Sequence, residues 1–143
     1  MAPEHVLVPL DGSPLAESAL NHALETFDCR VTVLNVVTPV DGPMSEGGVI
    51  GADDDREASA RERAENVVRR VRDREGADDR TIETAVETGD PAETIVDYTE
   101  AHDVDHVVIG SHGGDRGRIA RRLLGTVSTA VVGEAPATVT VVR

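Results

Sequence analysis

Residues 105–133 of the chain read Asp105-His-Val-Val-Ile-Gly110-Ser-His-Gly-Gly-Asp-Arg-Gly-Arg-Ile-Ala-Arg-Arg-Leu-Leu-Gly125-Thr-Val-Ser-Thr-Ala-Val-Val-Gly133. The short apolar run from Val107 to Ile109 next to glycines indicates a buried strand, and Thr126-Val127-Ser128 opens a predicted last helix. Glycines let a backbone approach an anion closely, and the free N–H groups of a helix start point at its charge. The stretch therefore predicts a cradle for the phosphates of a nucleotide.

Strands alternate with helices along the whole chain. The predicted strands cover residues 6–10, 31–37, 81–87, 106–109 and 138–142, and the predicted helices cover residues 14–27, 56–75, 91–102 and 126–132. Such alternation predicts an α/β fold with a parallel sheet and helices on both faces. The third strand alternates Ile82, Thr84 and Val86 with polar residues, which favours a half-exposed position at the sheet edge.

Residues 38–55 are predicted to be a flexible acidic loop, because they contain Gly, Pro, Asp, Ser and Glu with few apolar residues. A loop of this length is either functional or disordered in most proteins. Both a lid over a site and a disordered insert remain open.

Composition restricts the class of protein. The 143 residues suit one domain, and aromatic residues make up 1%, so the core must consist of Val, Leu, Ile and Ala. The net charge is −13, and all 14 basic residues are arginines. This acidic surface without lysine favours a salt-rich, halophilic cytoplasm, where charge repulsion is screened, over a moderately acidic mesophile protein from a GC-rich genome. Either way it argues against nucleic-acid binding. With one cysteine and no signal or membrane-length apolar run, a soluble cytoplasmic protein is predicted.

Two known phosphate loops are excluded by the sequence. A Walker A loop needs a lysine, and His112 stands where the second glycine of G-x-G-x-x-G would be. What remains is Gly110-x-x-Gly113, an eleven-residue spacer over residues 114–124, and Gly125-Thr126. Together with the rest of the chain, this motif resembles that of the universal stress protein family, whose ATP-binding members have a spacer two residues shorter.

The resemblance covers the full length and implies one domain over residues 1–143 with a Rossmann-like, doubly wound five-stranded parallel sheet of order 3-2-1-4-5. Ligands bind such sheets where the strand order reverses, which lies between strands one and four. The resemblance implies ATP or AMP as the ligand, and it implies the following contact residues: Pro9, Leu10, Asp11, Val36, Ile109, Gly110, Ser111, His112, Gly113, Gly125, Thr126 and Val127. Mg²⁺ can accompany the phosphates, because this ion is often held mostly by phosphate and water. It also implies a homodimer through strand five, at Thr138, Val139, Thr140, Val141 and Val142.

Some of these residues have a second interpretation. Asp11 can accept hydrogen bonds from ribose hydroxyls, but Asp-Gly-Ser-Pro is also ordinary turn chemistry. His112 has no evident carboxylate partner, which favours a hydrogen bond that fixes the loop over acid–base chemistry. A basic cluster in the spacer either reaches phosphate or forms a solvated face; it comprises Arg116, Arg118, Arg121 and Arg122.

Three functions are compatible with these observations. The first is a nucleotide-binding stress-response regulator that does not catalyse, or hydrolyses ATP very slowly. The second is a nucleotide-free homodimeric interaction module of the same fold, for which the longer spacer argues. The third is an adenylyl-transferring enzyme, whose H-x-G-H and S-G-G-x-D-S signatures are missing from the sequence.

Overall fold

The computed structural model describes residues 3–10, 14–38, 52–76, 80–111 and 126–143. The strands are β1 (His5–Leu10), β2 (Arg30–Val37), β3 (Ile82–Thr88), β4 (His106–Gly110) and β5 (Thr138–Val142). The helices in the described ranges are α1 (Pro14–Thr26), α2 (Ala52–Glu75), α3 (Pro91–Ala101) and α4 (Thr126–Glu134). All strand pairs are parallel and the order is β3-β2-β1-β4-β5, which confirms the predicted fold class.

Both faces of the central strands are covered by helices. Val6, Val8 and Val33 lie in a core with residues of α1 and α2, whereas Leu7 and Leu34 lie in a second core with residues of α3 and α4. Successive side chains of a strand point to opposite faces, so a strand covered on both sides must be apolar in both registers. All six residues of β1 are buried, as this geometry requires.

The helix boundaries agree with the predictions at most ends. Asp90 caps α3, since its Oδ2 accepts a hydrogen bond from the Glu93 N–H at 3.1 Å, and Pro91 occupies the first turn. Gly76 follows α2 with a φ of +65°, the left-handed conformation that glycine adopts readily at a helix end. β3 lies at the sheet edge and is half-exposed, as its alternation predicts.

The start of α2 differs from the prediction. The helix begins at Ala52, so residues 52–55 are helical although the composition assigned them to the acidic loop. Alanine is the strongest helix former, and Asp55 lies in the first turn, where the helix dipole favours a carboxylate. Residues 39–51 of the predicted loop lie outside the described residues.

A buried histidine lies at the amino end of β1. His5 Nδ1 lies 3.2 Å from the His102 carbonyl oxygen, and Nε2 lies 2.7 Å from Thr32 Oγ1. Because a carbonyl oxygen only accepts, Nδ1 carries the proton of the neutral ring and Nε2 accepts from the Thr32 hydroxyl. Burial lowers the pKa of His5; the His102 carbonyl opposes this shift, and the nearby Arg30 charge adds to it.

We expect the protein to lose stability as the pH falls from about 7.5 to about 5.5. The unfolded chain takes up the His5 proton near its ordinary pKa of about 6.5, whereas the folded pKa is lower. The stabilisation is therefore complete above about pH 6.5 and is lost as the pH falls towards the folded pKa. Urea unfolding midpoints at both pH values measure the loss. His5→Gln should reduce this loss of stability. The part that remains is expected from His106, because burial lowers the pKa of His106 as well. An unchanged pH dependence in His5→Gln would contradict this assignment.

Candidate functional site

A crevice opens at the carboxyl ends of the central strands, where the strand order reverses between β1 and β4. Its volume is about 590 Å³, within the range of small-molecule sites. The ends of β1, β2 and β4 form its floor, and residues near the starts of α2, α3 and α4 form its walls. Ligands bind at this position in doubly wound sheets.

Gly110 at the end of β4 is required by a close approach of α1. A Cβ at this position would lie 2.9 Å from Leu15 Cβ and 3.0 Å from the Leu15 carbonyl carbon. On the other side, the Ser128 hydroxyl donates to the Gly110 carbonyl oxygen at 2.7 Å. The end of β4 is therefore held between the first turns of α1 and α4. The start of α4 supplies N–H groups that have no partner within the helix.

Helix α2 forms a polar wall that the sequence analysis missed. Asp55, Arg56, Ser59 and Arg63 line the crevice. Two hydrogen bonds fasten this end of α2 to the sheet: Asn35 Nδ2 donates to the Ala60 carbonyl oxygen at 3.2 Å, and Thr88 Oγ1 donates to Glu57 Oε1 at 2.7 Å. The sequence contained one signal that another element packs here. Asn35 is a polar residue in an apolar strand, and such a residue needs a buried hydrogen-bond partner.

The chain matches the family described as "Universal stress protein family" over residues 3–143. It belongs to the universal stress protein family. The comparison with curated protein sequences gave no significant match.

Solved structures of universal stress proteins share the fold. The chain is 25% identical to the universal stress protein UspA from Lactobacillus plantarum, with a TM-score of 0.73 and coverage of 100% and 99% of the two chains. It is 20% identical to a family protein from Arabidopsis thaliana with AMP bound, with a TM-score of 0.62 and coverage of 98% and 91%. It is 21% identical to a universal stress protein in complex with cAMP, with a TM-score of 0.62 and coverage of 100% and 99%.

The structure brings half of the contact residues implied by the universal stress protein resemblance to one cavity. The crevice is lined by Pro9, Leu10, Val36, Ile109, Gly110 and Val127. Ser111 is buried, and its N–H donates to the Val142 carbonyl oxygen at 2.9 Å, so this N–H extends the sheet. Thr126 begins α4. The remaining predicted contacts lie outside the described residues, as do the four arginines of the spacer: Asp11, His112, Gly113, Gly125, Arg116, Arg118, Arg121 and Arg122.

The described residues that line the crevice are suited to binding a small molecule. The charged residues among them are two arginines and one carboxylate, Asp55, in a protein with a net charge of −13. Within the described ranges, no three His, Cys, Asp or Glu side chains are grouped so that they could hold a metal ion. The crevice therefore offers apolar surface, backbone N–H groups and two guanidinium groups.

None of the described helices combines the length and the apolar character that a membrane-spanning helix requires.

Proposed function

We propose that the protein binds an adenine nucleotide, ATP or AMP, in the crevice and acts as a regulatory stress-response protein of the cytoplasm. The observation that carries this proposal is the position of Gly110 and the start of α4 at the strand-order reversal, beside a cavity large enough for a nucleotide. Two solved proteins of the same fold are described with AMP or cAMP bound, which supports the choice of ligand class.

The residues present fit an adenine nucleotide. Val36, Pro91 and Ile95 offer apolar surface and backbone edges for a base. The N–H groups at the start of α4, near Val127, suit phosphate oxygens, because the positive end of the helix dipole lies there. Mg²⁺ can accompany such phosphates while being held mostly by phosphate and water.

We propose that the bound nucleotide is hydrolysed slowly or not at all. Asp55 is the one carboxylate among the described lining residues, and no histidine is among them. Activation of a water molecule needs a base within hydrogen-bond reach of it, and of the described lining residues only Asp55 is such a group; Asp11 and His112 lie outside the described residues. The nucleotide then acts by stabilising one conformation of the protein rather than by turnover.

ATP and AMP should raise the melting temperature of the protein. A ligand at 100 times its dissociation constant adds about 2.7 kcal/mol to the free energy of unfolding. The melts are measured in about molar KCl, since we propose that the net charge of −13 is adapted to a salt-rich cytoplasm. No shift at millimolar ATP or AMP would contradict nucleotide binding and would favour the nucleotide-free module. Adenosine serves as the matched control for the phosphates.

We further propose a homodimer through β5. This strand lies at the sheet edge and pairs with β4 on its inner side, and an exposed edge of apolar alternating residues invites pairing. The Ser111 N–H donates to the Val142 carbonyl oxygen, so the backbone groups of Val142 point inwards and those of Val141 point outwards.

Light scattering should give twice the 15.1 kDa mass of one chain. Val141→Pro removes an outward N–H and should shift the mass towards the monomer. A monomeric wild-type protein at tens of micromolar in high salt would contradict the dimer.

A further inference from the structure

Arg56 has an unsatisfied donor in the wall of the crevice. Three side-chain polar atoms of the described residues are buried without a hydrogen-bond partner: Asn21 Oδ1, Arg56 Nη1 and Arg72 Nε. Arg72 is anchored in another way, because its Nη2 donates to the Arg80 carbonyl oxygen at 3.0 Å. Arg56 is the one of the three that lines the crevice. A buried N–H of a charged group is costly to leave unpaired. Nη1 is closed to solvent, so an acceptor in the crevice reaches the Arg56 guanidinium through its other N–H groups or after a rotation of the side chain.

The position of Arg56 is set by the packing of α2. Arg56, Ser59 and Arg63 are three and four residues apart, which places them on one side of the helix. Ala60 is fully buried beside them, and its carbonyl oxygen accepts the Asn35 amide. Because this turn of α2 is fastened to β2, the two arginines stay at the crevice.

Arg56 and Arg63 differ in their charge partners from two of the other five arginines of α2. Arg70 and Arg74 both form ion pairs with Glu17 of α1. Within the part of the chain that the structure describes, neither Arg56 nor Arg63 forms an ion pair. In a protein with nearly twice as many acidic as basic residues, these two arginines outnumber the one carboxylate of the described wall, Asp55, which favours an anionic ligand.

We propose that Arg56, with the exposed Arg63 beside it, binds the phosphate groups of the nucleotide, so that α2 and the start of α4 hold the phosphates from two elements. This inference rests on the proposed nucleotide function. A guanidinium group suits phosphate, because its N–H donors match two oxygens at once. The site then prefers ATP to AMP and AMP to adenosine, and the preference weakens as salt is added.

The test is calorimetric binding of ATP, adenosine and inorganic tripolyphosphate at fixed KCl. Arg56→Gln should weaken ATP and tripolyphosphate binding about 10- to 100-fold, the effect of losing a charge-assisted hydrogen bond, and should leave adenosine within about twofold. Arg63→Gln should have a smaller effect, because Arg63 is exposed. Arg61→Gln is the matched control, since Arg61 is an exposed arginine on the same helix that is not part of the crevice wall.

The outcomes separate this inference from the proposed function. Unchanged ATP binding by Arg56→Gln would overturn the inference while the proposed function stands. Equal losses for ATP and adenosine would overturn it too, because Arg56 would then act on the base, the sugar or the wall. If the wild type bound tripolyphosphate through Arg56 but bound neither ATP nor adenosine, the proposed function would fail and the anion site would stand. If the wild type bound none of the three probes, both would fail.

A conservative variant keeps the test decisive if Arg56→Gln does not fold. Arg56→Lys keeps the charge and loses the two-pronged geometry, so it should bind ATP more weakly than wild type and more tightly than any folded neutral variant. The inference would be overturned if Arg56→Lys bound ATP as tightly as the wild type at every KCl concentration and if ATP binding by the wild type did not depend on salt.

Discussion

Gly110→Ala should lower the free energy of unfolding by about 1–3 kcal/mol, the usual cost of forcing an extra methyl group into a packed site. It should also abolish nucleotide binding. The added Cβ would lie 2.9–3.1 Å from Leu15 Cβ, its carbonyl carbon and its carbonyl oxygen. Two of these three atoms belong to the backbone, so the strain cannot be relieved by a side-chain rotation. The first turn of α1 or the end of β4 must move, and both border the crevice.

Gly133→Ala is the matched control for this substitution. Gly133 lies in α4, and a Cβ there would meet no atom within 4 Å. Alanine is favoured over glycine in a helix by about 0.5–1 kcal/mol, so this variant should be as stable as wild type or slightly more so. Urea unfolding and ATP titration of both variants measure the difference. If Gly110→Ala unfolded at the wild-type urea concentration, the close approach of α1 would not determine the residue at this position.

Arg80→Ala should lower the free energy of unfolding by about 3 kcal/mol, a magnitude based on hydrogen bonds to charged groups. The Arg80 guanidinium donates to three backbone carbonyl oxygens, those of Leu24 at 2.7 Å, Phe27 at 2.5 Å and Cys29 at 3.2 Å. The last carbonyls of α1 have no partner within the helix, and a cation at a helix C-terminus is also favourable. Arg80 therefore fixes the connection from α1 into β2.

Two control variants separate this role from a general effect of charge. Arg80→Lys keeps the charge but cannot reach three carbonyls with one ammonium group, so it should recover only part of the loss. Arg30→Ala removes an arginine whose ion pair with Glu83, at 2.8 Å, is exposed at both partners, so its urea midpoint should stay close to that of the wild type. If the urea midpoint of Arg80→Ala were no lower than that of Arg30→Ala, the three carbonyl contacts would not stabilise the fold.

The sequence predicts most of the fold because local and tertiary requirements coincide in the strands. β1 and β2 are mostly apolar in both registers, which only a strand covered on two faces requires, and α3 has a cap and a proline at its start. The start of α2 was missed because acidic residues are common both in loops and in the first turn of a helix. Composition alone does not separate these two cases.

The part of the candidate site where the backbone dictates the residue was predictable. The part that depends only on how the helices pack was missed. Gly110 is a glycine next to a buried strand, so its role at the crevice follows from the sequence pattern. Arg56 and Arg63 lie among many alternating charges on α2, a pattern typical of a solvated helix face. Their place in the crevice depends on α2 packing across β2, which no local pattern in the sequence contains.

The central claim is that an adenine nucleotide binds at the carboxyl ends of β1 and β4. A crystal structure of the protein grown with saturating ATP in molar KCl tests this most directly. We predict nucleotide density in the crevice, with the base near Val36 and the phosphates near Val127 and Arg56. A crevice that is filled by the protein's own residues, or a nucleotide bound elsewhere on the molecule, would contradict the claim.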